Sequence, residues 1–161
     1  MAMRLTSSAF ADGDQIPSRH TGEGLDISPP LAWESVQGAQ QYALICDDPD
    51  APSAQPWVHW VIYNIPGHIQ SLAEGLPNAP RLDDPDGALQ GVNSWPSGVT
   101  IGHRGPSPPP GHGTHHYHFR LYALDEALDL DPGLTKAELL KAIRGHVIAE
   151  GLLMGTYERG K

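Results

Sequence analysis

Proline and glycine punctuate this chain throughout, with 16 prolines and 18 glycines among 161 residues. Proline removes a backbone donor and glycine weakens a helix interior, so no long helical bundle fits this spacing. Many short elements joined by turns remain. The length predicts one domain over residues 1–161, large enough to bury a core without staples. The single cysteine, Cys46, excludes an internal disulfide and a CxxC zinc site.

Two segments carry the clearest strand signal. Trp57–Ile65 reads WVHWVIYNI, and His115–Leu124 reads HHYHFRLYAL. Both are rich in aromatic and β-branched residues. A period of two predicts Trp57, His59, Val61, Tyr63 and Ile65 on one face of the first. In the second, His115, Tyr117, Phe119, Leu121 and Ala123 form the more apolar face. Tyr42–Cys46 reads as a buried strand stopped by the prolines at 49 and 52. Shorter strands are expected at Arg4–Phe10, Leu31–Trp33 and Leu152–Tyr157.

Ile69–Glu74 fits one or two helical turns. Thr135-Lys136-Ala137-Glu138 has the form of a capping box. Leu139, Leu140, Ile143, Val147 and Ile148 follow at helical spacing, with Gly145 weakening the helix and Gly151 ending it. Residues 78–113 lack a convincing long element; such a loop is functional or hides an element. The expectation is a mainly β domain with one helix near the C-terminus.

The formal net charge of −9 disfavours nucleic acid and anionic membrane surfaces, which call for a basic face. No window reaches the roughly 18 apolar residues of a membrane span. Met1–Phe10 lacks the basic-then-apolar pattern of a secretory signal, so a soluble, cytoplasmic protein is expected.

Polar groups concentrate in Asp48-Pro49-Asp50-Ala51-Pro52, at His59, and in Gly105–His115. Each has a plain structural reading. Asp before Pro starts turns, a histidine on an apolar face is a satisfied core residue, and a proline run is a stiff loop or partner-binding segment. Cys46 reads as a small buried hydrophobe. Taken together, their convergence would line a pocket with two carboxylates, two imidazoles and rigid proline walls.

DPDAP at 48–52, WVHW at 57–60 and GPSPPPGHGTHHYHFRLYAL at 105–124, in this order, resemble the phosphatidylethanolamine-binding protein family. GHVIAEGLLMGTYERG at 145–160 resembles its bacterial, Raf-kinase-inhibitor-like branch. The resemblance implies a β-sandwich of two antiparallel sheets with Greek-key connections and a few short helices. It also implies a pocket for small anions or phosphoryl headgroups. Its ligand-binding residues here would be Asp48, Asp50, Pro52, His59, Gly105, Pro106, Pro109 and His115. No catalytic residue, cofactor or metal is implied. A phosphate-site tyrosine of eukaryotic members has no counterpart, since residues 53–56 are Ser-Ala-Gln-Pro. Trp57 and Trp95 are candidates for an aromatic wall. The resemblance further implies a homodimer, and a role as an interaction module inhibiting a kinase or protease.

Two carboxylates beside an oxyanion repel it unless protons or cations intervene. The expectation is that charged His59 and His115 donate to the anion, backbone N–H groups near Gly105 complete the cradle, and Asp48 orients an imidazole or a ligand hydroxyl. Affinity would then rise as pH falls from about 8 to about 6. A metal-assisted hydrolase is the enzymatic alternative, because five of nine histidines fall between His103 and His118. No HExxH motif or GxSxG elbow accompanies them, and His116 and His118 would point away from His115.

Overall fold

The computed structural model describes residues 2–159. Met1, Gly160 and Lys161, at the ends of the domain expected over 1–161, lie outside the described residues. The strands are β1 (Leu5–Thr6), β2 (Leu31–Trp33), β3 (Gln41–Asp48), β4 (Trp57–Pro66), β5 (Ser71–Leu72), β6 (Leu89–Gln90), β7 (His115–Leu124) and β8 (Val147–Tyr157). Among the described residues, one α-helix, α1 (Lys136–Ile143), precedes β8, and a single 3-10 turn spans Ser18–His20. The strands form two antiparallel sheets, β1-β2-β5 and β6-β4-β3-β7-β8. Within the larger sheet the order β7-β3-β4-β6 is that of a Greek key.

Alternation along β3 sorts its residues into two layers. Tyr42, Leu44 and Cys46 face the core shared with Leu5, Leu31, Trp33 and Leu72 of the small sheet. Ala43 and Ile45 face Leu139 and Ile143 of α1. The odd positions Tyr117, Phe119, Leu121 and Ala123 of β7 all join the inter-sheet core, as the period of two predicts.

β4 departs from that period. Cys46 lies opposite Trp60, yet Asp47 lies opposite Val58, which makes His59 the extra residue of a bulge. A second irregularity falls between the pairs Tyr42–Ile65 and Leu44–Ile62, where Asn64 takes φ +54°. The face expected to hold Trp57, His59, Val61, Tyr63 and Ile65 is therefore split. Val61 and Tyr63 pack towards α1, while Ile65 joins the inter-sheet core.

Two helix expectations are corrected. Residues 69–74 contain strand β5, not helical turns. Helix α1 begins at the expected capping box, where Thr135 accepts from Glu138 N at 3.1 Å. It ends at Ile143, short of Val147 and Ile148, because Gly145 at φ +84° turns the chain back. Val147 and Ile148 then enter β8, and Gly151 pairs with Leu121 in mid-strand. Ten register pairs with β7 satisfy more backbone groups than another helical turn would. The Arg4–Phe10 strand is also shorter than expected, reduced to Leu5–Thr6. The segment around it lies along the outer edge of β8 instead. There Met3, Gly13 and Ile16 donate backbone bonds to Glu150, Met154 and Thr156.

Residues 78–113 do conceal an element, β6, anchored by a buried amide. Gln90 accepts from Trp60 Nε1 at 2.7 Å and donates to the carbonyls of Pro77 and Ala79 at 2.7 and 2.8 Å. Gln90→Ala orphans the buried indole N–H and two carbonyls. It is expected to lower unfolding stability by about 2–4 kcal/mol, measured by urea denaturation.

Candidate functional site

The last residue of β3 in the alternating series is Asp48, so its side chain emerges at the open end of the inter-sheet core. The first residue of β7, His115, emerges beside it on the same face. The two meet with His115 Nδ1 2.6 Å from Asp48 Oδ2, and His115 is only 1% exposed. The other carboxylate oxygen accepts from the backbone N–H of Asp50 at 2.8 Å. Asp48 thus holds the turn that follows it and also lines the cavity described below.

The bulge in β4 aims His59 into the same space. Its Nδ1 lies 2.7 Å from the carbonyl of Arg104, which fixes the proton on Nδ1 and leaves Nε2 as an acceptor. Its ring meets Trp95 and Tyr117 edge-on, each at 5.1 Å between centroids. Burial holds this imidazole down at about 4, outweighing the Arg104 bond and the nearby carboxylates of Asp48 and Asp47. His59 is therefore neutral near pH 7. Burial also pushes the phenol of Tyr117 far up, so it stays protonated.

These groups line a cavity of about 250 Å³. Asp48, His59, His115 and Tyr117 supply its polar groups, with Ser53 and Ser107. Ala51, Pro52, Trp57, Trp95, Pro108 and Pro109 complete the wall. Trp57 and Trp95 do stand together, 5.4 Å apart and edge to face. Trp95 is held by a loop organised around Asn93. The Asn93 amide donates to the carbonyls of Val99 and Gly102 and accepts from the Trp95 N–H at 3.0 Å. The Arg104 guanidinium covers the indole at 4.6 Å.

Of the eight expected ligand-binding residues, Asp48, Pro52, His59, Pro109 and His115 meet at this cavity. Asp50, Gly105 and Pro106 do not line it. Asp50 turns outward and accepts from the backbone and Nδ1 of His116, both at 2.8 Å. Burial alone would raise its carboxyl, but the bonds from His116 and the charges of His116 and His115 hold it below its ordinary value.

Gly105 itself commits its N–H to Asp26 Oδ1 at 2.6 Å. Its role is close approach: a Cβ there would stand 2.0 Å from the carbonyl oxygen of His20. Pro106 lends its carbonyl to the N–H of Gly22 at 2.8 Å. Tyr117 was available to sequence reasoning, two residues past His115 on the same strand face. His112, whose Nδ1 lies 2.6 Å from His115 Nε2, carried no comparable signal. Among the described residues, no three His, Cys, Asp or Glu side chains are placed to hold a metal ion.

A two-sheet β fold with a walled pocket at one end of its core has room for a small ligand. A family model for phosphatidylethanolamine-binding protein matches residues 6–158. The chain is 55% identical over 159 residues to a UPF0098 protein of Methanothermobacter thermautotrophicus, covering 98% of this chain and 100% of that one. Among solved structures it is similar to CT736, a putative PEBP homolog from Chlamydia trachomatis. The TM-score is 0.85 and the identity 40%, with 98% of each chain covered. It is also similar to E. coli YbcL, described as a new member of the mammalian PEBP family. Here the TM-score is 0.87 and the identity 30%, with 98% of this chain and 99% of that one covered. The chain belongs to the phosphatidylethanolamine-binding protein family, and family and fold together suggest a binding protein. No helix among the described residues is long and apolar enough to cross a membrane.

Two buried neutral histidines make stability depend on pH. Burial holds His59 at about 4 and His103 at about 3, His103 also being repelled by His59 and His20. An unfolded chain takes up these protons first, near 6.5. Stability is therefore complete above pH 6.5 and is lost as pH falls through that value towards 4 and 3. At pH 5 each histidine is expected to cost about 2 kcal/mol. Urea midpoints measured from pH 7 to pH 5 should fall, and His103→Gln should remove about half of the fall.

Proposed function

We propose that this pocket binds a small oxyanion or a phosphoryl headgroup. The observation that carries the reading is the state of Asp48. Each of its oxygens accepts from a protein donor, His115 Nδ1 and the Asp50 N–H, so its charge has partners within the protein. What the cavity offers a ligand is imidazole, phenol and hydroxyl among tryptophan and proline walls. His115, oriented by the Asp48 carboxylate at Nδ1, meets the anionic oxygens of the ligand through Nε2.

His59 plays the opposite part. A neutral imidazole with Nε2 as acceptor repels a bare anion and welcomes a hydroxyl. The ligand should therefore bring its own proton, as a phosphate monoester does when it passes from dianion to monoanion near pH 6. The rise in affinity between about pH 8 and pH 6 then belongs to protonation of the ligand, not to titration of His59.

Calorimetric titration with phosphorylethanolamine and with sulfate tests this. Phosphorylethanolamine should bind more tightly at pH 6 than at pH 8, unaffected by a chelator. Sulfate, which has no proton to give, should bind roughly tenfold more weakly at pH 6. His115→Ala should abolish binding. Equal affinity for the two ligands would remove the acceptor role of His59. Loss of binding on chelation would turn the reading towards a metal-assisted hydrolase. No binding at all would turn it towards protein partners.

A further inference from the structure

The proposed ligand contact is not free. His115 has two ring nitrogens, and Nδ1 is taken by Asp48 at 2.6 Å. Its Nε2, the atom left for a ligand, lies 2.6 Å from Nδ1 of His112. The two rings stand 4.8 Å apart. His115 lines the cavity and is buried, whereas His112 is exposed and is not part of the lining. A ligand in the cavity and His112 at its rim compete for one nitrogen.

The chain around His112 is built to let go. Gly111 and Gly113 flank it at φ +73° and +88°, in the region that favours glycine. Beyond the adjoining residues, no described heavy atom lies within 4 Å of where a Cβ would stand at either glycine. One backbone bond, from His112 N–H to the Pro109 carbonyl at 3.1 Å, ties the residue to the proline wall. The prolines before it are stiff, so the two glycines concentrate the freedom to move at His112.

We propose that His112 is a latch on the ligand pocket: its imidazole occupies His115 Nε2 in the empty protein and is displaced when a ligand binds. The proposal rests on the reading that His115 contacts the ligand. The latch keeps a buried nitrogen satisfied while the pocket is empty, where an orphaned polar atom would be costly. It also means that an incoming ligand exchanges one hydrogen bond for another, so affinity is lower than the pocket alone would give. The exposed position of His112 means that truncating it removes no core contact.

The test is His112→Ala beside the unaltered protein and His115→Ala. Each is titrated with phosphorylethanolamine and followed by NMR line shapes of the tryptophan indole resonances. A latch predicts that His112→Ala binds about two- to tenfold more tightly, the range of one net hydrogen bond. The gain should lie in a faster association rate with dissociation unchanged. A faster dissociation rate in His112→Ala would make His112 a ligand contact and overturn the latch. Unchanged affinity in His112→Ala, with binding lost in His115→Ala, would overturn the latch and leave the pocket reading standing. No binding by the unaltered protein would overturn both.

Discussion

A carboxylate and an imidazole meet 2.6 Å apart at the end of the inter-sheet core, and the geometry of that end depends on their bond. Asp48 and His115 are both almost fully buried. A charge in such a place is tolerated only when paired and hydrogen-bonded. The pair is also a clasp, because it joins the last residue of β3 to the first of β7. The same carboxylate holds the turn that follows it through Asp50. One carboxylate thus ties together the ends of two strands and the turn that leaves one of them.

The neighbouring carboxylate shows why two adjacent aspartates are stable here. Asp47 points to the opposite face of the sheet and meets Lys136 of α1 at 2.5 Å. Alternation sends two like charges to opposite sides of one strand, and each side supplies a different partner. The helix therefore does more than cover apolar surface. It neutralises the acid that the pocket does not use.

The strands dense in aromatic and β-branched residues were legible in the sequence. Leu31–Trp33 and His115–Leu124 match the structure end for end, and β3 and β4 differ only at their limits. The capping box announced α1, and motif resemblance pointed to Asp48, His59 and His115. What escaped depends on contacts between distant residues. The bulge at His59 follows from its pairing with β3, which no local pattern reveals. Helical spacing through Val147 and Ile148 was real, but the long partner strand β7 overrode it. Gly105 belongs to the site's motif and yet serves packing against His20 and Asp26, far away in the chain. His112 gained meaning only from the ring it touches.

The chain segment laid along β8 has an effect beyond completing hydrogen bonds. β8 is 11 residues long and is the outermost strand of its sheet. A bare strand of that length is a template on which another polypeptide can add itself. Met3, Gly13, Asp14 and Ile16 bond the backbone of Glu150, Met154 and Thr156 along it, and Ile16 and Phe10 press against Gly155 so closely that a side chain there has no room. The protein therefore carries its own protection against strand addition. The strand that forms one of the longest ladders in the fold is kept from propagating that ladder into a neighbour.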